Sequence, residues 1–183
     1  MRVITGSARG RRLITLEGEN VRPTTERVKE ALFSIIQFQI EGRRVLDLFA
    51  GSGQLGIESL SRGARQAVFV DASRDSISVI QKNLESTGLT ENARVKKMDF
   101  AAFLLENREP FDLAFLDPPY RTGLVQRALP LVAETMNKGG AILCENPADE
   151  KMPEIAGDFV LVHSYRHGKI VLTLYRHKDV TEQ

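Results

Sequence analysis

Residues 45–56, VLDLFAGSGQLG, restrict the fold more than any other stretch of the chain. The apolar run Val45-Leu46-Asp47-Leu48-Phe49 has the length and composition of a buried parallel strand. It breaks into Ala50-Gly51-Ser52-Gly53, a turn whose glycines let the backbone come close to a ligand. A helical pattern follows, with Leu55, Ile57 and Leu60 available to pack on a sheet, and the start of a helix presents N–H groups that have no intrahelical partner. The spacing therefore predicts strand, tight turn and helix in an open α/β sheet. Asp47 is placed toward the carboxyl end of the strand, where such sheets bind ligands.

Two readings fit this turn. Gly51, Gly53 and Gly56 match G-x-G-x-x-G, and Asp71 follows Gly51 by 20 residues, after the apolar stretch Ala67-Val68-Phe69-Val70. That pattern is a dinucleotide fingerprint and would make the chain a nicotinamide-dependent oxidoreductase. The wording D-L-F-A-G-S-G, with an acid just before the turn, resembles motif I of S-adenosylmethionine-dependent methyltransferases instead. The resemblance implies that Asp47, Phe49, Ala50, Gly51, Ser52 and Gly53 surround the methionine part of the cofactor, with Asp71 and Ala72 at its ribose. Both cofactors carry a ribose, so Asp71 does not discriminate, and a turn residue or helix cap is its purely structural alternative.

The rest of the chain repeats the alternation. Ser73 is placed to cap a helix that turns Ile77, Ile80 and Leu84 toward the sheet and closes at Gly88. A short strand at 94–98 ends at Asp99; related enzymes place an acid here on the adenine amino group, so Asp99 and Phe100 join the cofactor candidates, with a surface acid or helix cap as the alternative for Asp99. A buried strand at 111–116 runs into Asp117-Pro118-Pro119-Tyr120. A helical pattern from 124 to 136 stops at Gly139-Gly140, and 141–144 reads as the fifth strand. Segments 159–164 and 170–176 flank Tyr165-Arg166-His167-Gly168-Lys169 as a hairpin.

Composition bounds the function classes. With 183 residues, 42% hydrophobic and 27% charged, the chain is expected to fold around one full core. Its one cysteine, Cys144, lies in an apolar run and reads as a small buried hydrophobe, so no intrachain disulfide forms and a reducing, cytoplasmic setting is expected. No stretch has the length of a membrane span, and no signal-peptide core is visible. His163, His167 and His177 lack metal-ligand spacing and read as ordinary strand or surface residues, so no metal is expected.

The net charge of +1 hides an asymmetry. Residues 1–44 hold nine Lys/Arg against five Asp/Glu, and residues 45–183 hold 16 against 19. Arg2, Arg9, Arg11 and Arg12 fall within the first 12 residues with no acid among them. Two short strands are expected at 3–5 and 13–16, around a glycine-containing loop suited to phosphate groups; a solvated hairpin tip is the alternative. Pro23 precedes a helix that Thr24 or Thr25 can cap, with Val28, Leu32, Ile35 and Ile36 on its apolar face to about Gln39, and Glu26, Arg27, Lys29 and Glu30 off that face. Residues 1–44 thus read as a basic extension that does not fold independently, and 45–183 as the catalytic domain.

Asp117-Pro118-Pro119-Tyr120 carries the chemistry. An exocyclic amine on a nucleobase is a poor nucleophile, because its lone pair is delocalised into the ring. Two acceptors on its two N–H bonds favour the pyramidal nitrogen of a methyl-transfer transition state. Asp117 offers a carboxylate oxygen, Pro118 a carbonyl whose direction two prolines fix, and Tyr120 a flat face for an extruded base. A stiff turn with a capping Asp is the structural alternative.

The order R-G-R-x-L (Arg9 to Leu13, with Arg12 at the variable position), R-P-T-x-x-R-V-x-E-A-L-F (from Arg22), D-L-F-A-G-S-G-x-L-G-x-E-x-L-S-R-G-A (from Asp47) and D-P-P-Y (from Asp117) resembles the bacterial RsmD family over nearly the whole chain. The resemblance implies a doubly wound, Rossmann-like, seven-stranded and mostly parallel sheet with an antiparallel last strand. It implies S-adenosylmethionine as cofactor and methylation of guanine N2 in 16S ribosomal RNA of the small ribosomal subunit. It also implies that Arg22 and Thr24 lie near the active site. Glu26 stands where that family often has Asp, which keeps the acid on a longer side chain. Adenine-N6 methylation of DNA or RNA remains open, because the motif does not distinguish the amines. A DNA enzyme needs a module to read several base pairs, and none is visible, so a structured RNA read by shape and a monomeric enzyme are expected.

Overall fold

The computed structural model describes residues 1–18 and 25–181. Its elements are α1 (Glu26–Ile35), β1 (Arg44–Leu48), α2 (Gln54–Ser61), β2 (Gln66–Asp71), α3 (Arg74–Thr87), a 3₁₀ turn (Thr90–Asn92), β3 (Ala93–Lys97), α4 (Phe100–Glu106), β4 (Phe111–Leu116), α5 (Leu124–Glu134), β5 (Met136–Pro147), β6 (Ile155–Ala156), β7 (Phe159–His167), β8 (Ile170–His177) and α6 (Lys178–Thr181). They build one sheet in the order β3-β2-β1-β4-β5-β8-β7-β6. The first five strands in that order pair in parallel, and β8 lies antiparallel between β5 and β7. The strand order reverses between β1 and β4, which puts a ligand crevice at the carboxyl ends of those two strands.

Alternate residues of each central strand feed two apolar layers. Val45, Ala67, Phe69, Leu113 and Phe115 pack with α1, α2, α3 and the N-terminal segment through Val3, Leu13, Phe33, Ile57 and Ile80. Leu46, Leu48, Val68, Val70 and Ala114 pack with α4 and α5 through Phe103, Leu104, Leu129 and Val132. All five residues of β1 are buried, as a doubly covered strand requires. Caps fall where polar residues precede apolar periodicity: Thr25 accepts from the Val28 amide at 3.2 Å, and Asp99 accepts from Ala101 and Ala102.

Some boundaries differ from those the sequence predicts. The sheet has eight strands, because the two-residue β6 pairs with the outer edge of β7. The helix α1 ends at Ile35 and α5 at Glu134, each closing in a turn that breaks the helical ladder. The fifth strand is longer than 141–144 and runs through both glycines: a side chain at Gly140 would come within 2.7 Å of the Asp112 carbonyl, so glycine lets β5 close on β4 across the irregularity between Phe111 and Leu113.

The N-terminal segment departs most. In place of two strands there is a single antiparallel bridge, Arg2 to Arg12. Val3 N and Leu13 N bond the Arg11 and Met1 carbonyls, but amides that would extend this ladder are spent on side chains from the helices. Ile4 N and Thr5 N donate to Glu58 of α2 at 2.9 and 3.0 Å, and Ile14 N donates to Asn83 of α3 at 2.8 Å. Asn83 donates in return to the carbonyls of Ile14 and Ser52, which ties the segment to the glycine turn. Lys29 is not on a solvated face: it is fully buried, 3.3 Å from the equally buried Glu58 carboxylate, and donates to the Arg2 carbonyl. Arg62 completes the cluster with a 3.0 Å bond to Glu58. Burial pushes the Lys29 ammonium below its ordinary value, and Glu58 pulls it back up.

Removing one member of a buried ion pair leaves an uncompensated charge. Glu58→Ala is expected to cost about 3–5 kcal/mol in urea unfolding. It is also expected to speed tryptic cleavage at Arg9, Arg11 and Arg12 at least tenfold, because those bonds lie on a segment Glu58 holds down. The double variant Lys29→Met/Glu58→Leu is expected to recover only part of the loss, since the Ile4 and Thr5 amides still lose their acceptor.

Candidate active site

Four acids end four adjacent strands: Asp99 just beyond β3, Asp71 at the end of β2, Asp47 within β1, and Asp117 just beyond β4. Each is placed by backbone geometry at the carboxyl edge, and two of them shape the glycine turn. Asp47 is 2% exposed and accepts from the Gly56 amide at 2.9 Å, so it pins the first turn of α2. Asp71 accepts from the Gly51 amide at 2.9 Å and from Ser73 N at 2.8 Å, so it pins the turn to β2. Its turn role and its position at the crevice therefore coexist. Asp99 is exposed and caps α4, as its structural alternative held.

Burial drives the Asp47 carboxyl well above its ordinary range; the Gly56 amide opposes this, while Asp117 and Asp71 add to it. Asp47 is thus a group held beneath the turn rather than on the crevice surface. The turn itself runs through positive φ at Phe49 (62°), Gly51 (59°) and Gly53 (80°), and Ala50 N closes it on the Val70 carbonyl. Phe49, a large residue in a left-handed conformation, is held by ring contact with Phe100 at 5.3 Å between centroids. Ser52 and Gly51 are half-buried, and Ala72 is exposed beside Asp71. Gly56 has a packing role: a side chain there would meet the Phe69 ring at 2.3 Å, so glycine lets α2 lie directly on the sheet.

On the other side of the switch point β4 delivers Asp117-Pro118-Pro119-Tyr120. Asp117 and Tyr120 are half-buried, Pro118 is buried and Pro119 exposed. The Tyr120 hydroxyl donates to Glu145 at 3.0 Å, and Glu145 is 2% exposed at the end of β5. The Thr122 hydroxyl donates to the Pro119 carbonyl, and Arg121, at φ 59°, bonds Asp149 at 2.9 Å. Together these contacts hold a small concavity lined by Pro118, Tyr120, Thr122, Val125 and Glu145. Glu145 was not among the sequence candidates; its apolar neighbours 141–144 hide it, and only its place one step beyond Cys144 at a strand end marks it.

The arginines lie elsewhere. Arg2, Arg9, Arg11 and Arg12 are all exposed, and among the described residues none pairs with a carboxylate. Their loop is docked on Ser61, whose hydroxyl donates to the Thr5 carbonyl and accepts from Ala8 N. Ser61 ends the eight-residue α2, so the loop sits about 12 Å along the helix from the glycine turn. Arg22 and Thr24 lie outside the described residues.

The comparisons with known proteins agree with this layout. A family model described as Conserved hypothetical protein 95 matches residues 1–176. The Ribosomal RNA small subunit methyltransferase D of Escherichia coli K12 is 33% identical over 96% of this chain and 89% of its own length. The chain belongs to the RsmD family. YlbH of Bacillus subtilis, provisionally named an rRNA methyltransferase, is 39% identical over 96% of the chain and 98% of its own length. The solved structure of Escherichia coli yhhF, provisionally named a methyltransferase, superposes with a TM-score of 0.85 at 32% identity and 97% coverage of both chains.

Membership of the RsmD family makes S-adenosylmethionine the cofactor and removes the nicotinamide reading. The residues present fit it. S-Adenosylmethionine carries a sulfonium and an ammonium, and the crevice edge is a row of carboxylates, where a pyrophosphate would meet like charge. Above Gly51 an added side chain would touch only Leu16, at 4.0 Å, so the backbone there is open to approach.

Two expectations follow. Gly56→Ala should cost about 1–3 kcal/mol from the forced displacement of Phe69, and Phe69→Leu should restore part of it. Asp47 binds a proton more readily folded than unfolded, so its contribution to stability is present below the unfolded carboxylate value and lost as pH rises through the raised folded value. Asp47→Asn keeps an acceptor for Gly56 N, and is expected to raise the urea midpoint at pH 8 while leaving it nearly unchanged at pH 3.

Proposed function

We propose that this RsmD-family chain transfers the methyl group of S-adenosylmethionine to the exocyclic N2 amine of a guanine in 16S rRNA of the small ribosomal subunit. The observation that carries the reading is the Asp117-Pro118-Pro119-Tyr120 turn at the β1–β4 switch point, with Tyr120 tethered by the buried Glu145 beside the glycine turn. The names of the Escherichia coli and Bacillus subtilis relatives support rRNA as the substrate class.

The cofactor supplies an electrophilic methyl group on sulfur. Gly51, Ser52 and Gly53 would give it an approachable backbone with Phe49 beside its methionine part, Asp71 and Ala72 would meet its ribose, and Asp99 and Phe100 would form the adenine end. Asp47 acts by holding Gly56 and with it the turn. On the substrate side, Asp117 and the Pro118 carbonyl accept the two amine N–H bonds and turn the nitrogen lone pair toward the methyl. Pro119 stiffens their separation. Tyr120 stacks on the extruded base, its ring direction set by Glu145. No strong general base is needed, because the nitrogen becomes acidic only as it gains the methyl. Arg2, Arg9, Arg11 and Arg12, with Arg22 and Thr24, hold RNA backbone.

The deciding assay is methyl transfer from labelled S-adenosylmethionine to small ribosomal subunits from cells lacking this protein, followed by nucleoside analysis. N2-Methylguanosine is the expected product. N6-Methyladenosine would replace the base assignment, and label confined to DNA would overturn RNA as the substrate. Asp117→Ala is expected to lower kcat at least a hundredfold while calorimetry shows cofactor affinity within about threefold of the unchanged protein. Equal loss of both would remove Asp117 from the role of amine acceptor.

A further inference from the structure

The hairpin of β7 and β8 is a strongly biased surface that the proposed catalytic reading does not use. From Phe159 to His177 the chain has no carboxylate, and it holds Arg166, Lys169, Arg176 and all three histidines of the protein. Two of these groups belong to the base of the hairpin: Arg176 bonds Gln39 at 2.8 Å, and His177 packs on Phe159 and lies 3.7 Å from Asp179. The outer end is different. His163, Arg166 and Lys169 are exposed, and Tyr165 and His167 are half-buried. The rings of His163 and Tyr165 lie 4.2 Å apart between centroids, on the same sheet face as α1. Arg166 Nε donates to the Gly168 carbonyl, which fixes the guanidinium over the turn.

Register places this end beside the crevice. Tyr165 is opposite Leu172, and Leu172 is opposite Glu145, the residue that tethers Tyr120. Two strand spacings separate Tyr165 from Glu145, about 10 Å. The Lys169 carbonyl accepts from Ala148 N, one residue beyond β5, so the turn is anchored to the same rim. The nearest rim acids are engaged elsewhere: Asp149 pairs with Arg121 and Glu150 accepts from Gln126.

We infer that the end of the β7–β8 hairpin is a second RNA-contact surface, with Arg166 and Lys169 on phosphates and the His163–Tyr165 pair as a stacking platform for a nucleotide flanking the target base. The inference rests on the proposed RNA methylation and extends its substrate contacts. Cations alone would suit any polyanion. Two adjacent aromatic rings among cations, two strands from the residue that tethers Tyr120, suit an unpaired RNA segment. The loop bearing Arg9, Arg11 and Arg12 lies on the α2 flank, so the two basic surfaces approach the crevice from different sides.

The test uses the whole protein and small-subunit rRNA, measuring RNA binding against salt and methyl transfer on the same samples. Arg166→Ala/Lys169→Ala is expected to bind RNA about tenfold more weakly. Its plot of log affinity against log salt should be shallower by about 1.4, from two phosphate contacts on a single strand. The kcat at saturating RNA and the S-adenosylmethionine affinity should stay within about twofold. Arg166→Lys/Lys169→Arg should keep the original slope, and Tyr165→Leu should weaken binding about fivefold or more without changing it. Unchanged affinity and slope in the alanine variant would overturn the inference, as would equal loss of affinity in the charge-keeping variant. Failure of the catalytic reading is separable: an unaltered protein that binds this RNA but transfers no methyl would remove the proposed reaction and leave the hairpin result standing.

Discussion

One buried carboxylate organises the half of the molecule that carries the N-terminal segment. Glu58 receives Ile4 N, Thr5 N, Lys29 Nζ and Arg62 Nε, and so joins the N-terminal segment, α1 and α2 at a single point. A lone charge so deep is too costly to keep ionised, and a lone lysine beside it equally so. The two are tolerable only together, and only when the backbone of residues 4 and 5 supplies further donors. The N-terminal segment is therefore locked to α2 rather than draped over it. The lock reaches the crevice through Asn83, which binds the same segment at Ile14 and the glycine turn at Ser52.

The carboxyl edge solves a different problem with the same residue type. Four strand-end acids gather at one carboxyl edge, Asp47 beneath the glycine turn and the others at the crevice. Asp47 is buried, and that burial, more than the neighbouring Asp117 and Asp71, raises its carboxyl; its acceptor is spent on Gly56. Asp71 and Asp99 accept from backbone amides that also define the turn and the α4 start. An edge of this kind attracts a cationic, hydroxyl-bearing cofactor and repels a phosphate-bridged one. Charge thus separates two cofactors that the glycine spacing alone leaves tied.

What the sequence showed and what it hid divide along a physical line. Apolar periodicity located the central strands and helices, and the glycine turn and the Asp-Pro-Pro-Tyr turn were visible because turns and strand ends are written in unusual residues. Pairings between polar side chains on separate elements left no such trace. Lys29 lies off the apolar face that the sequence marks on α1, and Glu58 is a charged residue within α2; both are interior as each other's partner. The residues at 3–5 and 13–16 have strand composition, yet beyond Val3 and Leu13 the amides of Ile4, Thr5 and Ile14 go to Glu58 and Asn83. Glu145 follows four apolar residues of β5, and nothing local distinguishes it from the end of a buried strand. Its role depends on β5 lying next to β4, which is a fact of sheet order.

The same separation of charge bears on how a polyanion is handled by a chain of nearly balanced charge. Carboxylates that must accept hydrogen bonds from an amine cannot sit next to phosphates without repelling them. Screening at physiological salt acts over about 8 Å, so cations placed a little farther than that from the catalytic acids hold backbone without neutralising the acids. The arginine loop docks about 12 Å along α2 from the glycine turn, and Tyr165 of the hairpin end lies about 10 Å across two strands from Glu145, so both basic surfaces stand off to the flanks of the crevice. A nucleotide in the proposed reaction then bridges the two regimes: its phosphates stay at the basic flanks while its neutral base enters the acidic crevice. In that proposed reaction, extrusion of the base is favoured by the electrostatics of the molecule as much as by the reach of the cofactor.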